Sequence, residues 1–130
     1  MEIKNKGVLI TGGASGLGGA CAQLLAQQGA KVAIADLNGE LGEELAARLN
    51  GAGNTAIFVK TNVTEEESMQ AAVRAAVEAF DTLHVLINCA GIGLAERTLG
   101  KNGPGSLASF SRVIQVCLLY TSDAADDLTR

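Results

Sequence analysis

Short apolar runs alternate with segments of helical periodicity from Lys6 onward. The apolar runs predict four β-strands, over residues 7–10, 31–35, 55–60 and 83–87. Between them, apolar residues recur every three or four positions, which is typical of helices that lay one face on a sheet. A polar, glycine-rich loop follows the fourth run, and a last helix is predicted to begin near Leu107. The pattern predicts an α/β fold with parallel strands.

The three helices between the strands carry signals for their ends. Gly29 follows the first helix and suits a C-terminal cap, because glycine adopts left-handed backbone angles without a steric penalty. Asn38 precedes the second helix and predicts an N-cap. Thr64 and Glu67 have the spacing of a capping box, which predicts the start of the third helix.

Apolar spacing also predicts which face of each helix is buried. The predicted face of the first helix consists of Leu17, Cys21, Leu24, Leu25 and Gln28. That of the second helix consists of Leu41, Leu45 and Leu49. That of the third helix consists of Met69, Val73, Val77 and Phe80.

Composition narrows the class of protein. The 130 residues suffice for one domain, and only four of them are aromatic whereas 16 are glycine, so a core of small aliphatic side chains is expected. The net charge is −4 and no cluster of lysine and arginine occurs, which argues against a nucleic-acid partner. No apolar run approaches the roughly 18 residues that a membrane span needs, so no membrane partner is expected.

Cysteine and histidine usage predicts neither a metal site nor a disulfide framework. Cys21, Cys89 and Cys117 are widely separated, and the one histidine, His84, has no catalytic partner at a suggestive spacing. Cys89 is interpreted as a small packing thiol rather than a nucleophile. The simplest compartment for such a chain is a reducing one, so a cytoplasmic location is predicted.

A glycine-rich loop directly follows the first apolar run. Residues 11–18 have the spacing T-G-x-x-x-G-x-G. Glycines allow the backbone to approach phosphate oxygens closely, and the amide end of the next helix attracts anions. The loop therefore suits a pyrophosphate. Taken alone, it fits a tight strand-to-helix turn equally well.

Asp36 ends the second predicted strand, about 20 residues after Gly16, where dinucleotide-binding units place a carboxylate against the adenosine ribose. A carboxylate can accept hydrogen bonds from both ribose hydroxyls, and it would repel a 2′-phosphate. NAD is therefore the predicted cofactor in preference to NADP. The alternative is that Asp36 only begins a polar turn.

The loop of residues 11–18, together with Asn88-Cys89-Ala90-Gly91 after the fourth strand, resembles the short-chain dehydrogenase/reductase family. The resemblance implies the N-terminal half of a doubly wound (Rossmann) parallel sheet, with strand order 3-2-1-4 and the sheet incomplete. It also implies cofactor-binding roles for Gly12, Ser15, Gly16, Leu17, Gly18, Asp36, Asn62, Val63, Asn88, Ala90 and Gly91.

Two of these motifs depart from the family pattern. Asn62 stands where the family usually has Asp, and Cys89 replaces the second Asn of N-N-A-G. An amide oxygen can still accept a hydrogen bond from an adenine amino group, so Asn62 keeps its expected role.

Within the family, residues 7–116 resemble type-2 3-hydroxyacyl-CoA dehydrogenases, through the N-C-A-G-I sequence, the long polar loop and residues 110–116. The resemblance implies oxidation of a secondary alcohol to a ketone, with a 3-hydroxyacyl-CoA as the expected small-molecule substrate. It also implies a homo-oligomer for the full-length protein.

The resemblance ends at Cys117. The family takes the alcohol proton with a Tyr that has a Lys four residues later, whereas the one tyrosine, Tyr120, is followed at that spacing by Ala124. Cys117 occupies the position of the family's relay Asn. No catalytic residue is therefore assigned within this chain.

Residues from Cys117 onward resemble the translation of a transposon-end adaptor used in sequencing libraries. The expected organisation is thus a partial NAD-binding domain over residues 1–116 and a non-native tail over residues 117–130. A natural, truncated paralogue with a polar tail is the alternative.

Two functions stay open: the cofactor-binding half of an NAD-dependent oxidoreductase, and a non-catalytic nucleotide-binding or regulatory module.

Overall fold

The computed structural model describes residues 1–119, which form an α/β fold around a four-stranded sheet. The strands are β1 (Gly7–Thr11), β2 (Lys31–Asp36), β3 (Thr55–Lys60) and β4 (Val85–Asn88). All pairings in this sheet are parallel and the order is β3-β2-β1-β4. The predicted fold class and strand order are confirmed.

Apart from polar residues at their ends, the two central strands are apolar, because helices cover both of their faces. Val8 and Ile10 of β1 point to one face, into the cluster that also contains Ala22, Leu45 and other residues. Leu9 points to the other face and packs with Ala72, Ala76 and Phe80. Every residue of β1 is buried, as expected for a parallel strand covered on both sides.

Helix α1 (Gly16–Gln27) is buried mainly through small residues, so its predicted face was right only in part: Cys21 and Leu25 pack against the core. Its buried residues are Gly18, Gly19, Ala22 and Ala26. Leu17 is 83% exposed and Leu24 is 55% exposed. The reason is distance: a Cβ on Gly18 would collide with the carbonyl oxygen of Gly12, so this helix end lies too close to the β1 turn for a large side chain.

The faces of the next two helices were predicted in part. In α2 (Gly39–Gly51), Leu45 and Leu49 are buried, but Leu41 is 42% exposed and Gly42 lies against the ring of Phe58. In α3 (Glu66–Phe80), the buried residues are Met69, Ala72, Ala76 and Phe80, whereas Val77 is 40% exposed. Alanine and glycine therefore provide much of the helix–sheet contact.

Two of the three predicted caps are present. The Asn38 side chain accepts a hydrogen bond from the Leu41 amide at 3.1 Å, and Gly29 has a φ of 88° beyond the end of α1. The capping box was wrong. Helix α3 begins after Glu65, and the Thr64 hydroxyl donates to the side-chain oxygen of Asn62 at 2.7 Å. Thr64 therefore lies in the turn before the helix, one residue short of the N-cap position that a capping box requires.

Beyond β4 the chain packs loosely. Strands β5 (Leu99–Gly100) and β6 (Gly103–Pro104) form a small antiparallel hairpin within the predicted loop. Helix α4 (Leu107–Ile114) has no buried residue and leads into a π-helical turn (Gln115–Leu119). Within residues 1–119, no helix is long and apolar enough to cross a membrane.

The predicted tail falls only in part within the described residues. Residues 117–119 belong to the π-helical turn, and residues 120–130, including Tyr120 and Ala124, lie outside them.

Candidate nucleotide-binding site

A cavity of about 410 Å³ opens at the carboxyl ends of β1, β2 and β4. Strand order reverses between β1 and β4, and ligands of doubly wound sheets bind at such a switch point. The predicted binding residues that line the cavity are Gly12, Ser15, Gly16, Leu17, Gly18, Asp36, Val63, Ala90 and Gly91. The cavity has five further lining residues to which the sequence analysis gave no binding role: Ala35, Leu37, Thr61, Cys89 and Ile92.

The glycines of the loop have distinct roles. Gly12 has a φ of 64°, and a Cβ there would lie 2.7 Å from the Ala90 nitrogen. Gly18 is constrained by the Gly12 carbonyl. Gly16 has a φ of 56°, but a Cβ there would meet nothing within 4 Å. Packing therefore explains Gly12 and Gly18, whereas Gly16 borders open space in the cavity.

The amino end of α1 faces this cavity. Ser15 is the N-cap residue, yet its side chain makes no capping hydrogen bond, and the first turn contains no acidic side chain. The Ser15 side chain lies at the cavity without capping the helix. Helix amides and a positive dipole end at a cavity form a favourable site for an anion.

Asp36 holds two backbone segments at the rim of the cavity. One carboxylate oxygen accepts from the Ala14 amide at 3.0 Å, and the other accepts from the Asn38 amide at 2.9 Å. The contact with Asn38 is the polar turn anticipated from the sequence. The contact with Ala14 braces the glycine loop, and each oxygen keeps a further lone pair for a ligand.

Thr11 joins the two sequence motifs. It is fully buried, its hydroxyl oxygen accepts from the Ala90 amide at 3.3 Å, and its carbonyl accepts from the Cys89 amide at 3.1 Å. Thr11 was not among the predicted site residues. In the structure it does not line the cavity. Its place as the first residue of T-G-x-x-x-G-x-G was the available signal.

Asn62 and Asn88 do not line the cavity. The side-chain oxygen of Asn62 accepts from both the amide and the hydroxyl of Thr64, at 3.0 and 2.7 Å, and its nitrogen donates to Glu65. Both acceptor lone pairs are in use, so the expected hydrogen bond to adenine does not fit this geometry. Asn88 ends β4 and is paired with Thr11 in the sheet.

The ionisable side chains within the described lining are Asp36 and Cys89. Burial and the neighbouring Cys21 raise the pKa of the Cys89 thiol, which therefore stays protonated near neutral pH. This fits a packing role rather than a nucleophilic one. No group of three potential metal ligands occurs among the described residues.

The other end of the cavity is bounded by Gly91 and Ile92. The Cys117 thiol accepts from the Ile92 amide and donates to the Ile92 carbonyl, both at 3.3 Å. The first residue of the predicted tail thus contacts the backbone beside the site. His84 lies at the opposite end of the sheet, where its Nδ1 accepts from the Gly7 amide at 3.0 Å.

Comparison with known proteins matches the part of the chain that contains both motifs. The sequence model of the family described as short chain dehydrogenase matches residues 6–121. The chain is 44% identical over 116 residues to a 3-hydroxyacyl-CoA dehydrogenase type-2 of Drosophila melanogaster, covering 88% of this chain and 44% of that protein. It is 40% identical over 122 residues to the Homo sapiens protein of the same name, covering 92% and 46%.

A relative with another substrate in its name is similar over a shorter stretch. The chain is 49% identical over 91 residues to a 2,5-dichloro-2,5-cyclohexadiene-1,4-diol dehydrogenase of Sphingobium indicum, covering 70% of this chain and 36% of that protein. The chain thus spans less than half the length of each of these relatives.

Proposed function

Since the chain belongs to the short-chain dehydrogenase family, we propose that its cavity binds NAD and forms the cofactor half of an oxidoreductase. The proposed substrate is a secondary alcohol, in particular a 3-hydroxyacyl-CoA, in line with the names of the type-2 relatives. We propose a homo-oligomer for the full-length protein.

The observation that carries the cofactor proposal is the Asp36 carboxylate at the cavity rim. Its two oxygens are oriented by the amides of Ala14 and Asn38, so their remaining lone pairs have set directions. No lysine or arginine is present in the described lining to neutralise a 2′-phosphate. A negative charge held in this position favours two ribose hydroxyls over a phosphate.

The other residues divide among the parts of a dinucleotide. The α1 amides and Ser15 would hold the pyrophosphate, Val63 would pack beside the adenine, and Ala90 with Gly91 would border the nicotinamide. When bound, NAD supplies the hydride acceptor. The role of this chain is to orient that acceptor, with Thr11 keeping the two motifs together.

Proton transfer needs groups beyond those that the described cavity provides. Ser15 and Thr61 are its hydroxyl side chains, and Thr61 donates to the Val59 carbonyl at 2.9 Å. Neither hydroxyl is hydrogen-bonded to the side chain of Asp36 or Cys89 in the described lining. We therefore expect this chain alone to bind NAD without measurable turnover.

That division of roles also supports the second candidate, a nucleotide-binding or regulatory module that performs no chemistry. One assay distinguishes the two candidate functions: the formation of NADH from NAD with a short 3-hydroxyacyl-CoA as substrate. Turnover by a longer form that continues this reading frame would support the enzyme. NAD binding without turnover in such a form would support the module.

Calorimetric titration of NAD and NADP tests the cofactor proposal. We expect NAD to bind more tightly than NADP. Asp36→Asn should weaken NAD binding by about 1.5–3 kcal/mol, the usual worth of a hydrogen bond to a charged group. The matched control is Glu40→Gln, which removes an exposed carboxylate outside the cavity lining. Equal NAD affinity in Asp36→Asn and the unaltered chain would contradict the proposal.

A further inference from the structure

Three asparagines in this chain are each followed by a glycine: Asn38, Asn50 and Asn102. An Asn-Gly pair is prone to deamidation, because glycine has no side chain to keep its backbone nitrogen away from the neighbouring side-chain amide. All three asparagines are exposed. Exposure therefore does not distinguish them, and a difference in reactivity between them must come from how the fold holds each one.

The side chain of Asn50 is held by two hydrogen bonds. Its nitrogen donates to the Ala56 carbonyl at 2.8 Å, and its oxygen accepts from the Ala56 amide at 2.9 Å. Asn50 and Gly51 also belong to α2, so both have helical backbone angles. Closing a ring between the Gly51 nitrogen and the Asn50 side chain would require these bonds to break and the end of the helix to unwind.

Asn38 is held by the cap that it forms. Its side-chain oxygen accepts from the Leu41 amide at 3.1 Å, and its backbone amide donates to Asp36 at 2.9 Å. Ring closure onto Gly39 would require this one side-chain bond to break. The restraint on Asn38 is therefore weaker than that on Asn50.

Asn102 lies in the turn of the β5–β6 hairpin, where restraint is weakest. Within the described residues, no hydrogen bond holds its side chain. Each strand of the hairpin has two residues, and Pro104 has no amide hydrogen to donate to Leu99 opposite it. None of residues 93–105 is buried. Such a short, exposed hairpin is only marginally stable, so its turn can distort at little cost.

We propose that Asn102 is a site of spontaneous deamidation. The Gly103 backbone nitrogen attacks the side-chain amide carbon of Asn102, which forms a five-membered cyclic imide. The side-chain nitrogen leaves as ammonia and takes the proton of the Gly103 amide with it. Water then opens the imide at one of its two carbonyls, which gives aspartate or isoaspartate. The net reaction consumes one water and releases one ammonia, and it needs no oxidant or cofactor.

Deamidation changes the charge of a second cavity. The hairpin and its flanking residues line a polar cavity of about 310 Å³, and Arg97, Lys101 and Asn102 are among the lining residues. Either product places a carboxylate in this lining together with the two cations. Isoaspartate also adds a carbon atom to the backbone of the turn, which disturbs the pairing of Gly100 with Gly103. Neither the site nor its chemistry depends on the proposed cofactor.

The experiment compares the three asparagines within one chain. The folded chain is kept in mildly alkaline buffer, digested at acidic pH, where the reaction is slow, and mapped by mass spectrometry over time. We expect Asn102 to lose its amide about ten-fold faster than Asn50, or about 1.4 kcal/mol in activation free energy, with Asn38 between them. An isoaspartate-specific methyltransferase should label the Asn102 peptide.

The same chain in concentrated urea provides the reference state. Unfolding removes the restraints on Asn38 and Asn50, so the three rates should become similar. Equal rates at Asn102 and Asn50 in the folded chain would overturn the proposal, as would a faster reaction at Asn38 than at Asn102. A ten-fold difference that persists in urea would also overturn it, because the cause would then be local sequence and not the fold.

Asn102→Gln is the matched control variant. It keeps a side-chain amide at the turn, but its ring closure would need a six-membered ring, which forms much more slowly. We expect no deamidation at position 102 in this variant and unchanged rates at Asn38 and Asn50. Equally fast loss of the amide from Asn102→Gln would show that direct hydrolysis, and not attack by the Gly103 nitrogen, is the reaction.

Discussion

The inner region of the sheet and the outer region differ sharply in burial. The inner region comprises β1, β2, α1 and α2, where every residue of β1 is buried. The outer region comprises β4 and α4, where the apolar residues of β4 are only partly buried and α4 has no buried residue. Among the described strands, β4 pairs only with β1.

This contrast follows the division of function that we propose. The inner region provides the glycine loop and Asp36, the parts that would hold the pyrophosphate and ribose. The segment that follows β4 would border the nicotinamide end through Ala90 and Gly91. Holding a cofactor depends on the densely packed part of the chain, whereas the chemistry would depend on elements adjoining the loosely packed part.

A pair of leucine truncations should show the difference most strongly. Leu9→Ala in the inner region removes a fully buried side chain, and we expect a loss of about 2–5 kcal/mol in the free energy of unfolding. Leu107→Ala on α4 removes a side chain that is 76% exposed, and the change should stay within about 0.5 kcal/mol. Urea unfolding measures both. Equal losses would contradict the proposed contrast.

The next largest expected loss of stability comes from the close approach of Gly18 to the Gly12 backbone. Gly18→Ala introduces a Cβ that collides with the Gly12 carbonyl, and we expect a cost of about 1–3 kcal/mol in unfolding free energy. Gly51→Ala is the control, since a Cβ there meets nothing within 4 Å. A Gly18→Ala chain as stable as the control would show that the helix can move away from the loop.

The boundary between the two regions can be tested at Thr11. Thr11→Val leaves the Ala90 amide without its hydroxyl acceptor, and we expect a loss of about 1–2 kcal/mol in unfolding free energy. Thr55→Val, at an exposed strand position, is the control and should be near neutral. Faster hydrogen exchange at residues 89–91 in the Thr11 variant would locate the damage, whereas unchanged exchange would argue against the link.

The smallest expected effect is the contribution of Cys89 to the pH dependence of the unfolding free energy. Its pKa is raised above the usual value of 9.0, mainly by burial, so the folded state favours the protonated thiol. This stabilisation is complete below the unfolded pKa and is lost as the pH rises through the folded pKa. Relative to Cys89→Ala, the unaltered chain should therefore lose unfolding free energy on going from neutral to strongly alkaline pH. A difference that is constant with pH would contradict this.

Some features followed from local patterns in the sequence. The four apolar runs correspond to β1–β4, and Asn38 caps α2 as its side-chain chemistry suggests. The apolar pattern of a strand and the chemistry of a helix cap are each set by a few neighbouring residues, so short windows of sequence contain most of that information. The buried face of α1 followed only in part, because Leu17 and Leu24 are exposed to solvent, and glycine and alanine provide most of the buried contact.

Local sequence patterns also predicted only part of the candidate site. Asp36 and the glycines could be predicted from their spacing, and they line the cavity together. The role of Asn62 could not, because its hydrogen bonds to Thr64 depend on a turn that competes with the expected helix cap.

By itself, the sequence determined the α/β fold, the strand positions, the glycine loop and the carboxylate at the end of β2. These depend on residue type, periodicity and spacing along the chain. Only the tertiary structure decided that α1 packs through Gly18 and that Thr11 joins the two motifs. Each of these arises from the close approach of segments distant in sequence, at distances that no local pattern specifies.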